Sequence, residues 1–226
     1  MSVKYLYGRF ENLGKFLDGA KDLPENAGIR FCDIIHYKTM ENEVVRDDES
    51  RRVFNLDKEL FTIEINGQMI RSDQLSDHPA LELPVPRCYC ICLSSKKDDP
   101  VMFDRFKADV CVAVDTGVLI SFLTDIVGKR VPLRVLHGEV TYYPKVMSTA
   151  PPIEEALIFF KDQDLYSIEA EFRIALIKPE KVYFLADEQR VDVLSGEEPS
   201  YMFIGHKDPS IWSHIFKSYT RNPDVN

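Results

Sequence analysis

The sequence predicts an α+β fold: one domain over residues 1–226, with a mixed, mostly antiparallel sheet and peripheral helices. Strand-like apolar or alternating runs outnumber the helical segments, and the helical segments are scattered among them, which is the pattern of an α+β chain. No repeat, low-complexity tract or linker divides the sequence. A composition of 45% hydrophobic and 29% charged residues is typical of a soluble protein with a substantial core.

The first half of the chain carries clear local signals. Asn66-Gly67 joins two alternating runs in "LFTIEINGQMIRSD" and predicts a β-hairpin. Pro100 marks the first turn of a short helix in "KKDDPVMFDRF". We expect the charge-rich residues 40–58 to form a solvated helix or a mobile loop. Further predicted elements are strands in "VKYLYGRF", "GIRFCDIIHYK" and "RCYCICLSS", and a short helix in "NLGKFLDGA".

The second half alternates between strands and helices. Asp115 or Thr116 is placed to cap a helix in "TGVLISFLTDIVG". Asp208 and Pro209 are an N-cap and first position for a final helix, "DPSIWSHIFKSYTR". The other predicted elements are strands in "ADVCVAVD", "KVYFLAD" and "PSYMFIG", two strands around His137-Gly138, and a helix in "APPIEEALIFFKDQD".

The segment "DLYSIEAEFRIALI", residues 164–177, bears most directly on function. Apolar or aromatic residues occupy every second position from Tyr166 to Leu176, and this alternation predicts a strand. Glu169 and Arg173 are also spaced four apart, as a helical ion pair would be. The longer alternation favours the strand, which places Glu169, Glu171 and Arg173 on one side.

Two structural interpretations account for these charges. In a half-buried antiparallel strand the polar side faces water, and the charges form an ordinary solvated face. Alternatively, Arg173 forms a bidentate ion pair with a carboxylate and holds two strands in register.

A third interpretation is chemical. Two carboxylates separated by one residue and opening into a cleft suit a reaction that stabilises a cationic sugar. One carboxylate lies beneath the developing oxocarbenium ion, and the other orients or deprotonates the incoming nucleophile. Cleavage of the N-glycosidic bond of NAD follows this logic.

Charge and hydropathy exclude several other classes. The net charge of −9 argues against tight, nonspecific binding to a nucleic-acid backbone. No apolar run reaches membrane-spanning length, and the N-terminus lacks the features of a signal peptide. These observations predict a cytoplasmic protein with no membrane partner.

Metal and classical enzyme motifs are missing from the sequence. Cys88, Cys90 and Cys92 lack a second pair of ligands at zinc-site spacing, so we expect buried thiols that act as small hydrophobic residues. The five histidines show no metal-binding spacing, and we expect no metal. G-x-S-x-G, P-loop and Rossmann motifs do not occur.

Several short motifs resemble the ADP-ribosyltransferase superfamily. They are Tyr5-Leu6-Tyr7 and Arg9 on the first strand, "CLSS" ending at Ser95 on a central strand, the segment from Tyr166 to Arg173 with its Glu-x-Glu, and the final "FIGHKDPSIW". Their order is similar to that of a bacterial domain family of unknown function within this superfamily. The resemblance spans most of the chain and implies the split sheet of that superfamily.

The resemblance also implies roles for individual residues. NAD is the implied substrate, with Arg9 on its pyrophosphate and Tyr7 stacked on nicotinamide. Glu171 is the implied catalytic carboxylate beneath the ribose, and Glu169 handles the acceptor. Ser94 or Ser95 supports the site, and Arg173 steadies the acidic pair.

Two functions follow from the resemblance. The first is an enzyme that transfers ADP-ribose from NAD to a macromolecular acceptor, nucleic acid or protein, in a toxin or phage-defence setting. The second is a non-catalytic interaction module of the same architecture, encoded by a phage or mobile element. Either function is compatible with an antitoxin or another protein partner.

Overall fold

The computed structural model describes residues 2–13, 28–40, 42–44, 46–130, 133–179, 184–186, 189–191, 193–206, 208 and 210–223. The strands are β1 (Val3–Gly8), β2 (Gly28–Asp33), β3 (Arg51–Leu56), β4 (Ile63–Ile65), β5 (Gln68–Ile70), β6 (Ala80–Pro84), β7 (Cys88–Ser94), β8 (Val110–Asp115), β9 (Arg134–Glu139), β10 (Thr141–Tyr143), β11 (Val146–Met147), β12 (Phe160–Asp162), β13 (Glu171–Ile177), β14 (Phe184–Ala186), β15 (Gln189–Val191), β16 (Tyr201–Gly205) and β17 (Phe216–Arg221). The α-helices are α1 (Phe10–Leu13), α2 (Pro100–Arg105), α3 (Thr116–Arg130), α4 (Gln163–Tyr166) and α5 (Ser210–Ile215). Among the described residues, 3-10 helices span Ile34–Thr39, Ser72–Gln74, Glu154–Phe159 and Ser167–Glu169.

An eight-stranded sheet organises the fold, and the predicted α+β class with a mostly antiparallel sheet is confirmed. The sheet runs β16-β2-β7-β1-β8-β17, with β13 and then β9 attached to β7, and all of its strand pairs are antiparallel. Among the described strands, parallel pairing occurs in two small sheets, where β10 pairs with β12 and β3 pairs with β11. A single domain over the whole chain stays a prediction.

The main sheet is covered on both faces. On one face, α3 and α5 pack over Ile91, Leu93, Ile174 and Leu176. The other face carries a second core that includes Cys88, Cys90, Ala175 and Ile177, together with Ile34, Phe54, Leu157 and Ile158 from the surrounding segments. Every residue of β13 is therefore buried.

Predictions of turns and helix starts are correct where the local residues specify the backbone conformation. Asn66 and Gly67 have φ values of 53° and 79°, the left-handed pair that a tight hairpin turn between β4 and β5 requires. The Asp99 carboxylate accepts a hydrogen bond from the Val101 backbone and caps α2. Asp115, rather than Thr116, accepts from the Val118 backbone at 3.1 Å and caps the start of α3.

Several predicted boundaries are wrong for identifiable reasons. The final helix ends at Ile215, and residues 216–221 form β17 instead, because β8 is buried at all of its positions and takes β17 as its outer partner. The strand break near 137–138 falls at Val140, and residues 154–162 form a 3-10 helix and then β12. Parts of "NLGKFLDGA" and "KVYFLAD" lie outside the described residues.

The prediction of a solvated helix or mobile loop over residues 40–58 is wrong for residues 49–56. Residues 51–56 form β3, and Glu49 and Arg52 are 1% and 3% exposed. A charge-rich segment is normally solvated, but these two side chains are paired with each other in the interior, at 2.5 Å between Arg52 Nη2 and Glu49 Oε2.

The expected strand over residues 164–177 begins only at Glu171. Asp162 caps α4 by accepting hydrogen bonds from the backbones of Asp164 and Leu165. A 3-10 turn follows, and Ala170, with φ at 43°, reverses the chain into β13. Glu169 therefore lies in a turn and Glu171 at the start of a strand.

Candidate functional site

The main sheet splits along one edge of β7. At its C-terminal end, β7 pairs with β1 through Tyr5 and Ser94. At its other end it pairs with β2, where Cys32 lies opposite Cys90. Away from these two contacts, β1 pairs with β8 and β2 pairs with β16. Within the described residues, β1 and β2 therefore diverge from each other.

A cavity of about 220 Å³ lies in this split. Tyr5 and Tyr7 line it from β1, and Arg30 and Cys32 line it from β2. The remaining described lining residues are Leu6, Tyr37, Met40, Cys90, Ile91, Cys92, Leu93, Ser94, Phe106, Lys161, Glu169 and Glu171. The cavity therefore combines aromatic walls with a small set of charged groups, a composition typical of ligand sites.

Lys161, on β12, is the centre of a buried ionic cluster at one end of the cavity. Its ammonium nitrogen lies 3.1 Å from Glu171 Oε2, 3.2 Å from Glu169 Oε2 and 3.3 Å from Glu49 Oε1. The Tyr166 ring lies beneath it, with its centroid 4.3 Å from the same nitrogen. One lysine thus gathers three carboxylates from two segments of the chain, one around Glu49 and one around residues 169–171.

Arg173 supports the same cluster from inside the protein. Its Nε donates to Glu171 Oε1 at 2.7 Å, and its two terminal nitrogens donate to both oxygens of Glu49 at 2.8 and 3.0 Å. It also donates to the Ile158 carbonyl at 2.8 Å. Arg173 is completely buried and does not line the cavity.

Glu169 is held by a second arginine and by the β7 terminus. Arg105 Nε, from α2, donates to Glu169 Oε1 at 2.8 Å. The Ser94 hydroxyl donates to the Glu169 backbone carbonyl at 2.7 Å. Ser94 therefore fixes the turn that carries Glu169, and the register of β7 with β13 places it opposite Glu171.

The cluster keeps its carboxylates ionised. Burial alone would raise the pKa of Glu171, but the charges of Arg173 and Lys161 outweigh it and lower that pKa to about 2. The same balance holds the pKa of Glu49 well below its usual range. Burial would lower the pKa of Lys161, yet Glu171, Glu49 and Glu169 raise it well above its ordinary value.

The structure brings together four of the residues that the sequence singled out. Tyr7, Ser94, Glu169 and Glu171 all line the cavity. Glu169, Glu171 and Arg173 are 4%, 4% and 0% exposed, so the interpretation of a solvated polar face is wrong. The bidentate ion pair predicted for Arg173 is present, and its partner is Glu49, which precedes β3.

Arg9 and Ser95 lie outside the cavity. Arg9 is exposed at the start of α1, where its carbonyl accepts hydrogen bonds from the backbones of Asn12 and Leu13. Ser95 accepts a hydrogen bond from Lys4 at 2.6 Å, and Lys4 is ion-paired with Glu139. The chain turns away from the split at both positions, and this places their side chains elsewhere.

Tyr7 is fixed by contacts on both its ring and its hydroxyl. The hydroxyl donates to the Lys96 carbonyl at 2.9 Å and accepts from the Asp99 backbone at 3.0 Å. Its ring packs against Phe103 and Phe106. Burial raises the pKa of Tyr7, so this side chain is a neutral, positioned wall of the cavity.

Sequence reasoning missed Glu49, Lys161, Arg105 and Arg30. A signal existed for Lys161, which directly follows the apolar run Ile158–Phe160 in the sequence, and it is the buried residue of β12. Glu49 and Arg30 had no comparable signal. Their roles depend on which segments meet in space.

Comparison of the chain with family models, with curated proteins and with solved structures found no match. None of the described helices is long and apolar enough to cross a membrane. Within the described residues, no group of three or more His, Cys, Asp or Glu side chains is arranged to hold a metal ion. All five cysteines are free thiols; Cys88 and Cys90 are buried in the second core, as expected, whereas Cys92 is half-buried and packs against that core.

Proposed function

We propose that this chain is an ADP-ribosyltransferase-like protein that takes NAD as its substrate and modifies a macromolecular acceptor. One observation carries the proposal: Glu171 lines a cavity in the split of the sheet together with Tyr7 and Ser94. These residues come from three distant segments, and they are the ones that the resemblance assigns to NAD and to the support of the site. The acceptor class, nucleic acid or protein, and a toxin or phage-defence setting belong to the same proposal.

The proposed role of Glu171 is electrostatic. A pKa of about 2 keeps its carboxylate charged at neutral pH, where it attracts the positive charge that develops on ribose as nicotinamide leaves. A general base works best with a pKa near the operating pH, so this carboxylate is poorly suited to proton transfer. Arg173 and Lys161 hold it in one orientation, although their charges also weaken its field.

Glu169 has the corresponding role towards the acceptor. It lines the same cavity, and it is oriented by Arg105 and Lys161. Glu169 lies in a 3-10 turn, whereas Glu171 starts β13. In this proposal the two carboxylates therefore serve two different groups, the ribose and the acceptor.

Arg9 receives no role in this proposal. Its exposed position outside the cavity gives no support for contact with the pyrophosphate of NAD. Arg30 supplies a guanidinium that lines the cavity instead.

One observation favours the non-catalytic alternative. Both oxygens of Glu171 already contact cations, Oε1 through Arg173 and Oε2 through Lys161. A carboxylate that is paired in this way can have a purely structural role, and such a role fits a non-catalytic interaction module. The experiment on NAD turnover separates the two functions.

The test measures nicotinamide release from NAD by the purified protein and by Glu171→Gln. The matched control is Glu139→Gln, which alters an exposed carboxylate outside the cavity. We expect turnover by the wild type and the control, and a loss of at least 100-fold in Glu171→Gln with a cooperative melting transition retained. Equal turnover by both variants would remove Glu171 from the mechanism, and absence of both NAD binding and turnover in the wild type favours the interaction module.

A further inference from the structure

We infer that the cavity accepts one nucleoside monophosphate unit of the dinucleotide, the nicotinamide half, with its phosphate on Arg30. This inference rests on the proposed function and extends it to a substrate class. Nicotinamide mononucleotide then contains all the groups that the cavity recognises, and the adenosine half of NAD lies outside it.

Cavity size is the first argument. A volume of about 220 Å³ is below the roughly 300–1,000 Å³ of clefts that enclose drug-sized ligands. NAD consists of two nucleoside monophosphates joined through their phosphates. A cavity of this size has room for at most one of them.

Charge is the second argument, because Arg30 differs from the other charged residues of the cavity. Lys161, Glu169 and Glu171 are ion-paired with one another and with Arg105 and Arg173 within the buried cluster. Over the part of the chain that the structure describes, no carboxylate lies within ion-pair distance of Arg30. Its guanidinium lies 4.5 Å from the centroid of the Tyr201 ring, on an exposed part of β2.

The guanidinium of Arg30 matches a phosphate in geometry as well as in charge. Its planar fork of N–H donors pairs with two phosphate oxygens, and stacking on Tyr201 orients the plane. The ionic cluster does not compete for this anion strongly, because its lysine is already shared among three carboxylates.

Strand geometry places the two ends of the ligand. Glu171 starts β13 on one side of β7, and Arg30 lies on β2 on the other side. Two strand spacings separate their backbones by roughly 10 Å, and more where β2 diverges. A ribose near Glu171 and a 5′-phosphate near Arg30 therefore lie along one direction across β7.

Aromatic side chains complete the recognition. Tyr5, Tyr7 and Phe106 line the cavity at the end where β1 meets Ser94. Tyr7 and Phe106 are already stacked, with ring centroids 6.0 Å apart. A flat base packs against such rings in offset or edge-on contact.

The experiment compares three ligands: NAD, nicotinamide mononucleotide and nicotinamide riboside, which lacks the phosphate. Dissociation constants are measured for the full chain by calorimetry and thermal shift, with Arg30→Gln and the exposed control Arg9→Gln. Arg30 is exposed, so its replacement is compatible with the fold, and Arg30→Lys retains the charge without the fork.

We expect the mononucleotide to bind about as tightly as NAD and the riboside about tenfold or more weakly. Arg30→Gln should abolish the difference between mononucleotide and riboside, Arg30→Lys should retain part of it, and Arg9→Gln should retain it in full. The inference is overturned if mononucleotide and riboside bind equally to the wild type, or if Arg30→Gln leaves their ratio unchanged. Binding of NAD without binding of the mononucleotide overturns the inference alone, whereas binding of neither overturns the proposed function as well.

Discussion

Glu49 and Arg173 lie 124 residues apart in the sequence and form a bidentate ion pair in the interior of the protein. Glu49 also contacts Arg52 and Lys161, so the pair connects the segment before β3 with β12 and β13. Arg173 in turn holds Glu171 at the edge of the cavity. The candidate site is therefore built on charges that also join the small sheets to the main one.

Removal of one partner of this pair should destabilise the protein strongly. Arg173→Met leaves Glu49 and Glu171 buried without their shared arginine, and a buried pair broken in this way typically costs about 3–5 kcal/mol. Urea unfolding, followed by circular dichroism, measures the loss in the free energy of unfolding. Glu49→Met should cost a comparable amount for the same reason.

The control for this experiment is the exposed ion pair between Arg71 and Asp73. Both side chains are mostly in solvent, 73% and 66% exposed, at 3.0 Å. Arg71→Met should change the free energy of unfolding by less than about 1 kcal/mol. A loss in Arg173→Met no greater than in Arg71→Met would show that the buried cluster contributes nothing to stability.

Acid should remove the contribution of the ionised Glu171 side chain to the free energy of unfolding. Its folded-state pKa of about 2 is lower than its ordinary value of 4.5, so the unfolded state binds a proton first as the pH falls. The stabilisation is fully present above about pH 4.5 and is lost as the pH falls towards 2, with a total on the order of 3 kcal/mol. The depressed pKa of Glu49 acts in the same direction.

The measurement compares the free energy of unfolding of wild type and Glu171→Gln between pH 7 and pH 3. Glutamine does not titrate, so the stability advantage of the wild type should narrow as the pH falls below about 4.5. An advantage that stays constant over this range would mean that Glu171 is not held by the two cations.

The sequence was sufficient for elements whose signals are local. The turn at Asn66-Gly67 and the helix start at Pro100 are specified by neighbouring residues, and both lie where they were predicted. The alternation from Glu171 to Ile177 likewise gave a strand. The prediction that this strand begins near residue 164 is wrong. The residues from 164 to 170 show the same alternation, but Asp162 caps a short helix there and the left-handed Ala170 ends the turn that follows it.

The site was predictable only in part, because it depends on pairing between distant segments. The Glu-x-Glu motif and Ser94 were identified from the sequence, and the pairing of β7 with β13 brings them together. Glu49 was missed because a buried charge without a local signal is recognisable only when its partners are known, and the apolar run before Lys161 does not by itself identify those partners. Arg9 was chosen for its position in a motif, but it lies beyond the end of β1, directly before α1, and outside the cavity.

Thiol reactivity should separate the folded protein from the unfolded chain. Burial raises the pKa of Cys32 and of Cys111, and hydrogen bonds from neighbouring thiols raise those of Cys90 and Cys92. Fewer thiolates then form near neutral pH, so reaction with an aromatic disulfide reagent should be at least about tenfold slower than in urea. Rapid reaction of all five thiols in the folded protein would contradict this burial.

The hydroxyl and the ring of Tyr7 should have separable roles. Tyr7→Phe removes the hydrogen bonds to the Lys96 carbonyl and from the Asp99 backbone, which should cost about 1–2 kcal/mol of stability. The ring remains as a cavity wall, so the dissociation constant for NAD should change less than about threefold. Urea unfolding and calorimetry measure the two quantities.

Tyr5→Phe is the matched control for Tyr7→Phe. Tyr5 lines the same cavity from the same strand, and its hydroxyl forms no hydrogen bond with any residue that the structure describes. Its replacement should therefore alter the free energy of unfolding by less than about 0.5 kcal/mol. If both substitutions cost the same, the anchoring of Tyr7 through its hydroxyl is refuted, because only Tyr7 has hydrogen bonds to lose.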